Sequence, residues 1–558
     1  MGDMKRKIIK ALSCMVLPAV ISCTSGTRVT VADEKNLQAE PYLSVVWSAD
    51  KGDGTYMNPI LHADYSDPDV IRVGDDYYMT ASSFNCVPGL PVLHSKDLVS
   101  WELKGYALAS LHPEEDFRKP VHGGGVWAPC LRFHDNEYYI YYPDPDRGLF
   151  LVKAKDPAGP WSEPLLVRGG KGLIDPSPLW DDDGRAYMVY AFAGSRAGIK
   201  SVLVVSTMNA DGTIVSDDAV MVFDGHYSHP TVEGPKFYKR NGHYYIFAPA
   251  GGVTNGWQIA LRAENIYGPY EEKTVLHQGN TDINGPHQGA WVTTRTGENW
   301  FIHFQDKDAY GRVVHLQPMK WKDDWPEIGA DLDGDGIGEP VGTFRKPDIG
   351  EKYPPVTPPE SDEFAEPRLG LQWQWHANPS LTWGFADGGL GFYRLNCIPK
   401  PENFTNLWDI PNLLLQKFPA EAFTATTAVT FNARYDGEEA GLVVMGTDYQ
   451  FISLKRVEEK IILRVVRCIE ADRGGKEEQL FSAEIQKPGI TLRVSVEDGA
   501  LCSFSYSTDG EEFISAGESF KARPGKWIGA KIGYFALGEG TANDAGGADI
   551  DWFRLEKK

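Results

Sequence analysis

Five stretches of the chain repeat one arrangement: a short polar entry, an apolar run, two polar residues, then a run rich in tyrosine. They read "SDPDVIRVGDDYYMTASS", "WAPCLRFHDNEYYIYYP", "DPSPLWDDDGRAYMVYAF", "EGPKFYKRNGHYYIFAPA" and "HQGAWVTTRTGENWFIHFQD". Aromatic and β-branched runs on either side of a tight polar turn predict a β-hairpin in each. The aligned aromatics Tyr78, Tyr139, Tyr187, Tyr245 and Phe301 stand roughly 50 to 60 residues apart, the span of one four-stranded propeller blade. Five such units predict a five-bladed β-propeller over 51–348. In a propeller the first strand of each blade lines the channel, so the residue opening each unit sits at its mouth. Counting back from the aligned aromatics gives Asp67, Trp127, Asp175, Glu233 and His287.

The texture then changes. "EKYPPVTPPESDEF" predicts a stiff linker over 349–362. From 363 to 558, alternating runs such as "AFTATTAVTF", "KIILRVVR" and "ITLRVSVE" separated by Gly-rich turns predict a concanavalin-like antiparallel β-sandwich. The fold class is all-β throughout. At the other end, a basic start (Lys5, Arg6, Lys7) and an apolar stretch predict a signal peptide over 1–22, with a tether over 23–50. Val20-Ile21-Ser22-Cys23 resembles a bacterial lipobox, which predicts lipidation of Cys23 and membrane attachment through that anchor alone. The following "TSGTRV" lacks an acidic cluster resembling a surface-export signal, which points to the periplasm rather than the cell surface.

Charge narrows the partner. A formal net charge of -22 excludes the basic stripe that nucleic-acid binding needs. A neutral, polyhydroxylated partner, held by hydrogen bonds and aromatic faces, remains. Beyond the N-terminal segment, Cys86, Cys130, Cys397, Cys468 and Cys502 are scattered and odd in number, without a C-x-x-C, so neither disulfides nor zinc are expected.

Three of the five channel-mouth positions are carboxylates. Glycoside hydrolysis needs a carboxylic acid to protonate the leaving oxygen and a carboxylate to act at the anomeric carbon, directly or through water. Burial beside like charges raises the pKa of one carboxyl and keeps it protonated near neutral pH. By turn chemistry, Asp69 is expected to point off the axis or cap a turn, and Asp181, Asp182 and Asp183 to form a solvated hairpin turn.

These motifs resemble glycoside hydrolase family 43, over both the propeller and an appended sandwich of its β-xylosidase-like members. The resemblance implies that Asp67 in "YSDPDVIRVGDDYY" is the general base and Glu233 in "EGPKFYKRNGHYY" the general acid. Asp175 in "LIDPSPLWDDDGRAY" would hold up the pKa of Glu233 and orient it. It further implies inversion, an arginine at the sugar subsite (Arg312) and an apolar wall at Phe84. Trp127, by its channel-mouth position, offers a face for a sugar to stack on, and Thr254 in "GGVTNGW" is a further candidate contact. His287 resembles, loosely, an axial histidine that holds a hydrated calcium in some members, so a structural calcium in the channel is implied although no cofactor is required. "DLDGDGIGEP" fails as an EF-hand, because Gly342 stands where the bidentate Glu belongs.

The expected function is exo-acting, inverting removal of terminal non-reducing α-L-arabinofuranosyl residues from plant hemicellulose oligosaccharides. β-D-xylosidase or dual activity is the alternative. A catalytically inactive glycan-binding lipoprotein is the reading of a different class, and it predicts a missing acid or base.

Overall fold

The computed structural model describes residues 41–387, 389–540 and 543–558; the signal peptide and the lipidation expected at Cys23 fall outside them. Each predicted hairpin forms the first half of an antiparallel four-stranded sheet, and the five sheets span 69–108, 130–169, 173–224, 236–276 and 287–328. Turn chemistry sets two of the hairpins directly. Asp135-Asn136 and Asn241-Gly242 both take positive φ at both positions, the two-residue turn whose twist matches that of the flanking strands. The repeated aromatics lie on the second strands, where Tyr245 pairs with Tyr238 and Phe301 with Trp291 across the ladder.

The ring closes through the N-terminal segment. Thr55–Met57 pairs with Thr343–Arg345. The buried Tyr56 hydroxyl and the Asn58 amide both donate to the Leu316 carbonyl on the fifth blade, at 2.8 Å each.

The C-terminal half is a sandwich of two mainly antiparallel sheets. Gly489–Glu497 shows its logic: Ile490, Leu492, Val494 and Val496 are buried while the residues between them are not, the period of two expected of a strand with one wet face.

Propeller and sandwich share one apolar core, which joins Val87, Leu90, Leu111 and Phe117 to Trp373, Trp375 and Phe418. Val87 and Trp375 exchange backbone hydrogen bonds at 2.9 and 2.6 Å. The proline-rich stretch, expected to be a spacer, is packed instead. Ile349 is buried against the propeller, and the buried Glu360 accepts from Ser44 Oγ at 2.6 Å and the Val45 N–H at 3.1 Å. Proline stiffens this segment against a neighbouring chain rather than across solvent.

Candidate active site

All five channel-mouth residues line one cavity of about 260 Å³, together with Phe84, Arg312, Gln288 and Trp527. The two aspartates reach it through strained backbone. Asp67 has φ 55° and Asp175 φ 56°, left-handed values that few non-glycine residues adopt, and such outliers collect where function over-determines geometry. Asp175 also lies in a register shift between Ile174 and Ser177 of its strand, and a second shift follows His287. Such irregularities re-aim a side chain next to a site.

Asp67 is buried and firmly held. Its Oδ2 accepts from Ser66 Oγ at 2.8 Å and Ser82 Oγ at 2.5 Å, and Arg312 Nη1 stands 3.3 Å from Oδ1. The same Arg312 nitrogen donates to Ser66 Oγ at 2.7 Å, so the guanidinium is fixed from two sides. The oxygen left least occupied, Oδ1, is the one able to take a proton from water.

Asp175 and Glu233 form the second centre. Asp175 Oδ2 accepts from the Gly234 N–H at 2.7 Å. Burial first, then the neighbouring Glu233 charge, push the Asp175 carboxyl up to about 8. The depth of the side chain is the larger cause. Asp175 is 3% exposed, whereas the Glu233 side chain is 25% exposed at the cavity wall. Glu233 is the member of the two that faces the cavity.

His287 is fully buried and its Nε2 lies 3.1 Å from Glu233 Oε1. Its Nδ1 has no hydrogen-bond partner. Calcium takes six to eight oxygen ligands, and His287 belongs to no cluster of three potential ligand side chains among the described residues. A hydrated calcium would take its remaining oxygens from water rather than from this chain; within the chain, His287 is placed to steady the Glu233 carboxylate. The one cluster of that kind among the described residues, His277 with Asp333 and Asp335, lies at the surface, where the aspartates accept from the backbone of their own loop.

Aromatic rings complete the walls. Phe84 and Trp127 meet edge to face at 6.4 Å, and Trp127 meets Trp527 at 6.2 Å. Trp527 comes from the sandwich, and Arg312 lies 5.7 Å over its ring. Nothing in the propeller repeat could announce it; an aromatic amid "RPGKWIG" is its only local signal.

Two expectations need correction and one resolves between its alternatives. Thr254 is exposed and outside the cavity wall, where Gly252 and Val253 stand, and its carbonyl accepts from Asn284. Asp69, of the two alternatives expected for it, turns away from the cavity rather than capping a turn: it is fully buried, accepting from the Leu131 N–H at 2.6 Å and Arg132 at 2.8 Å. Asp181 is not solvated either, since Tyr244 and Lys239 both bond to it.

A propeller that brings three carboxylates from three blades to one aromatic-walled cavity is the framework of a glycosidase. The chain matches the model of "Glycosyl hydrolases family 43" over 56–326 and that of "Beta xylosidase C-terminal Concanavalin A-like domain" over 361–556. It therefore belongs to glycosyl hydrolase family 43.

Among relatives, a Xylanibacter ruminicola protein provisionally called a β-xylosidase is 39% identical, over 87% of this chain and 86% of that protein. A non-reducing end α-L-arabinofuranosidase of Bacteroides ovatus is 30% identical, over 89% and 94%. The crystal structure of a xylan β-1,4-xylosidase from Bacillus halodurans superposes with a TM-score of 0.79 at 25% identity, covering 90% of this chain and all of that one.

Proposed function

We propose that this glycosidase removes single terminal pentose residues from the non-reducing ends of plant hemicellulose oligosaccharides, with inversion. One observation carries the reading: Asp67 and Glu233, from different blades, face one small cavity whose wall is finished by Trp527 of the other domain. A chamber closed in this way suits a chain end better than a long strand. Glu233 delivers the proton held with Asp175 to the departing oxygen. Asp67, fixed by Ser66, Ser82 and Arg312, draws a proton from water on the other face of the sugar as that water attacks.

A β-D-xyloside is the first substrate to test, since the 39% identical relative and the solved xylosidase bear that name. The α-L-arabinofuranoside expected from the sequence is the second reading, supported by the Bacteroides ovatus relative. Parallel rates on aryl β-D-xyloside and aryl α-L-arabinofuranoside, with the product anomer followed by NMR, test both. A retained anomer would overturn the mechanism, and turnover of neither would favour the glycan-binding class. Asp67→Ala is expected to lose at least about a hundredfold in kcat, the usual contribution of a general base; near-complete activity would sink the assignment.

A further inference from the structure

Asp64 stands outside the cavity wall, yet its carboxylate joins the parts that form it. It is 6% exposed. Its Oδ1 accepts from the backbone N–H of Arg312 at 2.9 Å, and its Oδ2 accepts from the backbone N–H of Gly529 at 2.9 Å. Arg312 carries the guanidinium that touches Asp67, and Gly529 lies two residues after Trp527.

The junction is built for close approach. A Cβ at Gly311 would come within 2.6 Å of Asp64 Cγ and 2.7 Å of the Gly529 nitrogen, and a Cβ at Gly529 would come within 2.8 Å of the Gly311 nitrogen. Ala530 adds a backbone bond to the Ala309 carbonyl at 2.7 Å. Trp527 itself has φ 64°, an unfavourable value for a bulky residue, so neighbouring contacts must hold it.

We propose that Asp64 is a positioning residue of the active site: its two carboxylate oxygens clamp the Arg312 strand of the propeller to the Trp527 loop of the sandwich, setting guanidinium and indole together against the substrate. The clamp ties wall placement to the catalytic base, because Asp64 is three residues before Asp67 and Tyr65 accepts no freedom between them: its N–H donates to the Arg312 carbonyl at 3.2 Å. The proposal rests on the glycosidase site and not on which pentose it takes.

The test is a double-mutant cycle on the full chain, using whichever aryl glycoside the wild type hydrolyses; a wild type active on neither would count against the functional reading instead. Asp64→Asn keeps the shape but turns one acceptor into a donor facing an N–H. It is expected to lower kcat/KM about tenfold, mostly through KM, as for one lost hydrogen bond to a charged group. In a Trp527→Ala background the same change is expected to cost less than about threefold, since coupled residues are not additive. Gly529→Ala, which leaves the carboxylate intact and forces the two backbones apart, should reproduce the KM signature and keeps the test available if Asp64→Asn folds poorly. Additive effects in the cycle, or a lowered melting temperature with unchanged kcat and KM in both variants, would overturn the proposal.

Discussion

The backbone N–H of Gly234 donates to Oδ2 of Asp175 at 2.7 Å, so the residue next to Glu233 is tied to the neighbouring carboxyl. The Asp175 carboxyl loses its proton as pH rises through about 8, and activity is expected to fall there. Asp175→Asn removes the group that ionises near 8, so the alkaline limb of the kcat profile should move, with kcat down by about a hundredfold. A pH–rate profile that kept its alkaline limb in place would refute this.

The same group makes a stability prediction of opposite sign. The folded Asp175 binds its proton more tightly than an ordinary aspartate, which titrates near 3.8, so its contribution to stability is present at low pH and is lost as pH rises from near 3.8 through about 8. Asp175→Asn carries no such penalty. It should melt a few degrees above the wild type at pH 8, with the gap closing toward pH 4, as scanning calorimetry would show.

His287 meets Glu233 at the cavity wall, and its other nitrogen is unpaired. His287→Ala leaves the carboxylate without this partner, while its two-carboxyl chemistry remains. Loss of about tenfold in kcat with little change in KM is expected, the pattern of an interaction that matters in the transition state. A His287→Ala variant with wild-type kcat would contradict the role assigned to His287.

The carboxylates were legible because a repeat gives register: Asp67, Asp175 and Glu233 hold equivalent positions in three units, and the fold places equivalent positions around one axis. Thr254 failed for the opposite reason. It sits in a loop after a second strand, where no register constrains which way a residue faces. Asp69 was read by its turn-forming neighbours in "SDPD", although its cationic partners Arg132 and Lys236 come from two other blades and leave no local trace. Trp527 and the packing of the proline-rich segment are both products of long-range contact between domains, which composition and periodicity do not encode.

The sandwich is part of the enzyme rather than an appendage. Val87, Leu90 and Phe117 bury against Trp373 and Trp375, so a chain ending at residue 348 exposes a face of its core. Such a fragment is expected to be insoluble or inactive, measured by soluble yield and turnover. In the full chain, Trp527→Ala should leave the fold intact and raise KM about tenfold, by removing about one well-packed aromatic contact. An active, soluble 41–348 fragment would show that the cavity closes without the second domain.

Beneath the site, Asp69 is the anionic centre of a buried charge cluster. It has no exposure, Arg132 donates to its Oδ2 at 2.8 Å, and the Lys236 ammonium stands 3.6 Å from its Oδ1 while donating to the Pro129 carbonyl at 2.9 Å. Asp69→Ala leaves two cations in the interior without their counter-charge, and removing one partner of a buried pair costs about 3–5 kcal/mol. Asp69→Asn keeps the shape and one acceptor for the Leu131 N–H, so it should cost less than the alanine. Urea unfolding at pH 7 would rank the three proteins as wild type, asparagine, alanine in falling midpoint, with the folded alanine variant still turning over substrate. An alanine midpoint equal to the wild type would mean that the channel charges are solvated and that Asp69 does not hold the blades together.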